Sequence, residues 1–225
     1  MAPTGSFGHL VFALVVFLAA HSAFTQPPLR RHVEARCGKI GFQLGYSLLS
    51  AVLLAWVVAA ALDSPTVVLW EQQPWMRWAP SLAMPVACVL WVAGLTTPNP
   101  FSIGPGNRGF DPAHPGVLRL TRHPVVWGLA LWSGGHVIPN GHLAGLVLFV
   151  PLLILSLLGP RILDGRRRRS LGEAEWRWLA AATAGPVAWG AMMAELGPWR
   201  PLGGLALVLA LMALHPLVIG LSPIP

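Results

Sequence analysis

Apolar runs close to bilayer length dominate this chain, and they restrict it to folds whose backbone polar groups bond among themselves. In hydrocarbon no water satisfies a bare N–H or C=O, so only helices and closed barrels span it. A spanning helix needs about 20 predominantly apolar residues. Five runs approach that length, His9–Phe24, Gly41–Leu62, Trp78–Leu95, Leu118–Ile138 and His142–Leu163, and a sixth covers Pro201–Leu221. The 225 residues are 55% hydrophobic and 10% charged, where soluble domains carry roughly 25% charge. An all-α, polytopic transmembrane helical bundle is therefore expected, with about six spans, as a single integral membrane domain over residues 1–225. Leu171–Leu196, with Trp176, Trp178, Gly185 and Pro186, reads as interfacial or half-inserted. No Lys or Arg precedes the first run and no small-residue cleavage site follows it, so it is expected to be retained rather than cut as a signal peptide.

Charge placement predicts orientation. Of the 15 Lys+Arg, four lie after the first run (Arg30, Arg31, Arg36, Lys39), three in the third loop (Arg108, Arg119, Arg122) and six after the fifth run (Arg161, Arg166, Arg167, Arg168, Arg169, Arg177). Only Arg77 and Arg200 fall elsewhere. Basic residues concentrate on the cytoplasmic side, so the expected topology puts the N-terminus outside the cytoplasm, in a bacterial inner membrane. The net charge of +7 is dispersed among juxtamembrane segments, which suits topology and anionic lipid better than nucleic acid. Cys37 and Cys88 form no CxxC pair, which argues against a disulfide frame, a zinc knuckle or an iron–sulfur site. Trp70, Trp75, Trp78 and Trp199 read as headgroup-level anchors. Thr96–Pro115 is dense in Gly and Pro and is expected to be irregular, folding over the cytoplasmic mouth of the bundle.

Histidines carry the chemistry. An ionisable residue inside an apolar span is a functional candidate by default, and imidazole is the usual nitrogen ligand for iron, zinc or copper. His21 follows the uninterrupted run Leu10–Ala20. His123 and His136 share the fourth run, and on one continuous helix their separation puts them some 140° apart, so at most one faces a given pocket. His136 shares a face with Trp132 and Ser133, and His123 with Trp127. Gly128, Gly134 and Gly135 would admit a second helix or a flat macrocycle. His9, His32 and His114 read as incidental, His142 equally as a helix-start or a functional residue after the Asn140–Gly141 turn, and His215 equally as a ligand or a backbone hydrogen-bonder. Two histidines from different spans suit the axial positions of haem. Zinc would want three or four ligands including carboxylate or thiolate, and Glu195 alone stands out as a buried acid.

At Ala20–His21–Ser22, Thr121–Arg122–His123–Pro124, Trp132–His136, Asn140–Gly141, Leu171–Gly172–Glu173–Ala174 and His215–Pro216, the chain resembles the NnrU family and its plant relative, the 15-cis-zeta-carotene isomerase. That resemblance implies a membrane protein binding haem b, with His21 and His136 as cofactor-binding iron ligands. His123 is the alternate, because it matches the depth of His21 more easily. Arg122, His123 and Ser133 are the candidate catalytic side chains, flanking the cofactor. Ser133 stands where the isomerase has a redox-linked cysteine; a serine supplies no thiolate, so no ligand switch is expected. The resemblance points to isomerisation of an apolar polyene or to nitrite and nitric oxide metabolism. A membrane-embedded methyltransferase of the isoprenylcysteine carboxyl type is the alternative, suggested by Arg122–His123–Pro124 and Gly172–Glu173–Ala174–Glu175 but opposed by basic Arg166–Arg169. A non-catalytic assembly factor using its histidines as inter-helix hydrogen bonds is the third reading.

Overall fold

A computed structural model of the chain describes residues 5–24, 26–104, 106 and 108–225. It is helical, in the order α1 (Phe7–Ala23), α2 (Pro27–Leu62), α3 (Trp78–Thr96), α4 (Pro124–Val137), α5 (Leu143–Leu171), α6 (Glu173–Ala181), α7 (Trp189–Leu196) and α8 (Trp199–Val218), with 3-10 turns at Pro74–Arg77 and Gly116–Arg119. Among the described residues no strand forms beyond an isolated bridge, Val68 to His142. The apolar helices make this an integral membrane protein. Four segments are long and apolar enough to cross a membrane: Pro28–Leu62, Pro74–Thr96, Leu143–Leu171 and Trp199–Val218, with the shorter apolar Phe7–Ala23 beside them. The fourth run departs from expectation. Its helix has 14 residues, roughly 21 Å long, because Leu118–His123 is spent on a 3-10 turn and a corner before Pro124. The first basic segment departs too, being helical from Pro27 and separated from the apolar part of α2 only by Gly38, at φ 72° and ψ 168°.

The chain clusters into two compact units. The first comprises Met1–Glu71 and Gly141–Leu148. Ser6 caps α1 by accepting the His9 N–H at 3.2 Å. Helices α1 and α2 meet through aromatic contacts, Trp56 beside His9 and Phe12, and Tyr46 beside His21 and Phe24. On α2, Ile40, Leu44, Leu48 and Val52 recur every fourth residue and stay exposed, the stripe a helix offers to lipid. Gly141 accepts the Leu69 and Trp70 N–H groups, and a Cβ there would strike the Trp70 carbonyl.

The second unit comprises Gln72–Asn140 and Phe149–Pro225. Helix α3 lies between α4 and α8, and glycine sets both approaches. A Cβ at Gly128 would lie 2.5 Å from Trp91 Nε1, and one at Gly204 2.6 Å from Val89 Cα. The Trp91 indole N–H donates to the Val125 carbonyl at 3.2 Å, so the close contact is also a polar one. Beyond α3 the irregular segment folds back with α6 and α7: Phe101, Val117 and Leu118 are buried with Trp176, Leu179, Met192 and Leu196. That segment is irregular as expected, and it shares one core with α6, α7 and Leu90 and Ala93 of α3.

Replacing Gly204 by Ala should cost about 1–3 kcal/mol by overpacking against Val89. Gly190→Ala, on exposed α7 with nothing within 4 Å of its Cβ, should instead stabilise by up to about 1 kcal/mol through helix propensity. Thermal unfolding of the detergent-purified variants checks both signs.

Candidate functional site

His136 is prepared by its own helix. Its Nδ1–H donates to the Trp132 carbonyl, one turn back, at 2.7 Å. A carbonyl only accepts, so this bond puts the ring proton on Nδ1 and leaves Nε2 with its lone pair. Phe149 stacks on the imidazole, centroids 5.1 Å apart and planes 27° apart, and Trp132 meets Phe149 edge-on at 5.6 Å. Asn140 donates to the His136 carbonyl at 2.7 Å, closing the helix end. Sequence spacing correctly put Trp132 beside His136. Ser133 is fully buried, and its hydroxyl donates to Leu129 at 2.7 Å within α4, so its hydrogen bond is made inside the helix.

In the first unit, the Tyr46 hydroxyl lies 2.8 Å from His21 Nδ1 and 3.2 Å from Nε2. The ring stacks on Phe17 at 5.7 Å. The glycines of α4 do not leave room for a flat macrocycle. Gly128 is filled by Trp91, Gly135 by Ala83 and Pro80, and Gly134 faces Leu153; they admit a helix, the other expectation.

His123 does not sit on α4. It is the residue before Pro124, at φ −126° and ψ 54°, and a residue preceding proline is driven from helical geometry. The helical-wheel angle between it and His136 therefore has no meaning here. Its Nε2 lies 2.8 Å from Asp164 Oδ1, while Arg122 Nη2 donates to Asp164 Oδ2 at 3.0 Å. His123 is 3% exposed, and its Nδ1 has no partner among the described residues. The Arg122 guanidinium lies 5.8 Å from the Phe101 ring and 5.7 Å from that of Trp176. Asn99 holds the corner, donating to the Arg122 carbonyl at 3.0 Å while its Oδ1 accepts from the Phe101 and Ser102 N–H groups. A cavity of about 260 Å³ opens here, lined by Thr121, Arg122, His123, Trp127, Asp164 and Thr183 among others.

Asp164 is the residue that sequence reasoning missed, for Glu195 alone had been singled out as a buried acid. Its signal was its isolation: one carboxylate between Arg161 and Arg166–Arg169 at the end of an apolar run. Glu195 is only part-buried, accepting from Arg119 at 2.7 Å and from the Gly116 N–H at 2.7 Å; the Arg119 guanidinium, then the Gly116 amide, hold its carboxyl below the usual range. His142 accepts the Gly145 N–H at 3.0 Å as a helix-start residue, and His215 Nδ1 donates to the Leu221 carbonyl at 2.7 Å. His9 accepts from Trp56, and His114 is solvated beside Asp111. No group of three or more His, Cys, Asp or Glu that could hold a metal ion occurs among the described residues.

The family model described as NnrU protein matches residues 9–223. The chain belongs to the NnrU family. The NnrU match takes in His21, Arg122, His123, Ser133, His136 and Asp164 alike. No curated protein and no solved structure matches the chain.

Asp164→Ala should destabilise this NnrU protein by about 1–3 kcal/mol, leaving Arg122 and His123 without their shared acceptor. Asp164→Asn, whose amide oxygen can still accept from His123, should lose less; denaturant unfolding in detergent ranks them. Glu173 gives a separate pH test. Arg168, then Arg177, hold its carboxyl down from 4.5 to about 2. A depressed carboxylate stabilises above its unfolded value, and that contribution fades as pH falls from about 4.5 toward about 2. Hydrogen-exchange protection factors over residues 172–181, referred to the intrinsic rate at each pH, should fall across that window, and Glu173→Gln should remove that fall.

Proposed function

We propose that this NnrU-family membrane protein binds haem b, with His136 as one axial ligand and His21 as the other. The single observation supporting it is the hydrogen bond from His136 Nδ1–H to the Trp132 carbonyl. A ligating imidazole usually donates its second ring N–H to a carbonyl or carboxylate, which selects the tautomer and raises the basicity of the ligating nitrogen. Phe149 restrains the ring plane; because the glycine faces of α4 are filled, a porphyrin would have to reach Nε2 from a side away from them. The same test fits His21: the Tyr46 hydroxyl lies nearer Nδ1 than Nε2, so it can accept the Nδ1 proton and leave Nε2 as the ligating atom. Bound haem would supply the electronic change for cis–trans isomerisation of a carotenoid-like polyene, or a coordination site for nitric oxide. Arg122 and His123 serve a separate task, because both are committed to Asp164. The membrane is the bacterial inner membrane, with the basic ends of α2, α5 and the 108–122 segment facing the cytoplasm.

The methyltransferase alternative draws no support from the Arg122–His123 corner. The cavities there are lined by Arg122, Arg161 and Arg168 against one carboxylate, a poor setting for the sulfonium cation of S-adenosylmethionine.

Optical spectra of detergent-purified protein, oxidised and then dithionite-reduced, decide the matter. The expected result is a low-spin b-type Soret and α band, lost in His21→Ala and in His136→Ala and kept in His123→Ala. Loss with His123→Ala and survival with His136→Ala would transfer the ligand role. Absence of haem after reconstitution overturns the proposal.

A further inference from the structure

Helix α5 leaves its apolar stretch with an ionic stripe. Arg161, Asp164, Gly165 and Arg168 stand at i, i+3, i+4 and i+7, the spacing that puts four residues on one helical face. That face borders a cavity of about 420 Å³, closed on its other side by Arg122 and Trp176. Three guanidiniums and one carboxylate line it. The carboxylate, Asp164, is engaged by Arg122 and His123. Arg168 binds Glu173, which Arg177 shares. Arg161 makes no hydrogen bond or ion pair to any described residue, and the buried Arg122 Nε has none either. Arg161 thus keeps unused donors on one wall of the concavity, with the Arg122 guanidinium across from it. Gly165 keeps it open, because a Cβ there would meet only the end of Arg169, at 3.6 Å.

We propose that this cavity is a binding site for a phosphate group. Guanidinium presents paired N–H donors whose fork matches phosphate oxygens. Arg122, Arg161 and Arg168 less Asp164 leave a formal excess of two positive charges on the lining residues, which suits a phosphate mono- or diester rather than a lone carboxylate. Trp176 and the stem of Arg161 supply an apolar wall for whatever the phosphate is attached to. Two sources share this chemistry: the headgroup of an anionic phospholipid and a free phosphate compound. The site needs neither haem nor His136, and its test reads neither.

The experiment uses the full chain in neutral detergent. Three probes are titrated: radiolabelled orthophosphate, and phosphatidylglycerol or phosphatidylcholine in mixed micelles followed by native mass spectrometry. Wild type should retain orthophosphate, phosphatidylglycerol or both in preference to phosphatidylcholine, whose choline cation the arginines repel. Arg161→Gln should weaken that retention about tenfold, the loss of one charge-assisted bond. Gly165→Leu should abolish it by filling the cavity with every charge kept. Arg166→Gln, of equal charge change but off the cavity lining, should leave it intact. Retention of phosphatidylglycerol alone identifies a lipid headgroup site; retention of orthophosphate identifies a site for free phosphate compounds. Equal losses in Arg161→Gln and Arg166→Gln, retention unaffected by Gly165→Leu in a variant of unchanged helicity, or no preference over phosphatidylcholine would each overturn the proposal.

Discussion

Helix α3 can occupy the middle of the second unit only because its neighbours have no side chain where they touch it. Gly128 of α4 and Gly204 of α8 bring backbone against Trp91 and Val89 at distances that a Cβ would not allow. In lipid the hydrophobic effect gives little reason for helices to associate, and close packing takes its place. Everything else in that unit follows from the contact: α4 is held although it is short, and its ends are brought to fixed places. One end bears His136, the other the Arg122–His123 corner.

Those two ends are chemically unlike. At His136 the Nδ1–H is satisfied inside the helix, and what remains is the Nε2 lone pair in an apolar aromatic setting. At His123 one ring nitrogen is met by a carboxylate from another helix while Nδ1 has no partner among the described residues, in a setting crowded with guanidinium. A bilayer separates such environments naturally, since charge clusters gather where a helix reaches the headgroups.

Much of this was legible in the sequence. Apolar runs foretold an all-helical membrane protein, and the spacing of Trp132 and His136 foretold their contact. The number of spanning helices was harder to read. Hydropathy records composition, and the run from Leu118 to Ile138 is apolar throughout although its first residues form a 3-10 turn and a corner. The first basic segment hid its helix because charge suggests a loop, while Pro27 at the helix start and the positive-φ Gly38 let a helix begin and then bend. Asp164 was missed for a related reason. Its partners, Arg122 and His123, are some forty residues away in sequence, and only the packed helices bring them within hydrogen-bonding distance.

The proline after His123 has a wider meaning. A proline ring disfavours helical geometry at the residue before it; Met84, Val150, Gly159 and His215 stay helical before their prolines, so the Arg–His–Pro order biases the chain toward a bend that other contacts must hold. His123 is thereby released from the spiral of α4 and turned toward α5. The charged corner thus joins a local bias of the chain to two distant side chains that fix it, Asn99 at the Arg122 carbonyl and Asp164 at the two side chains.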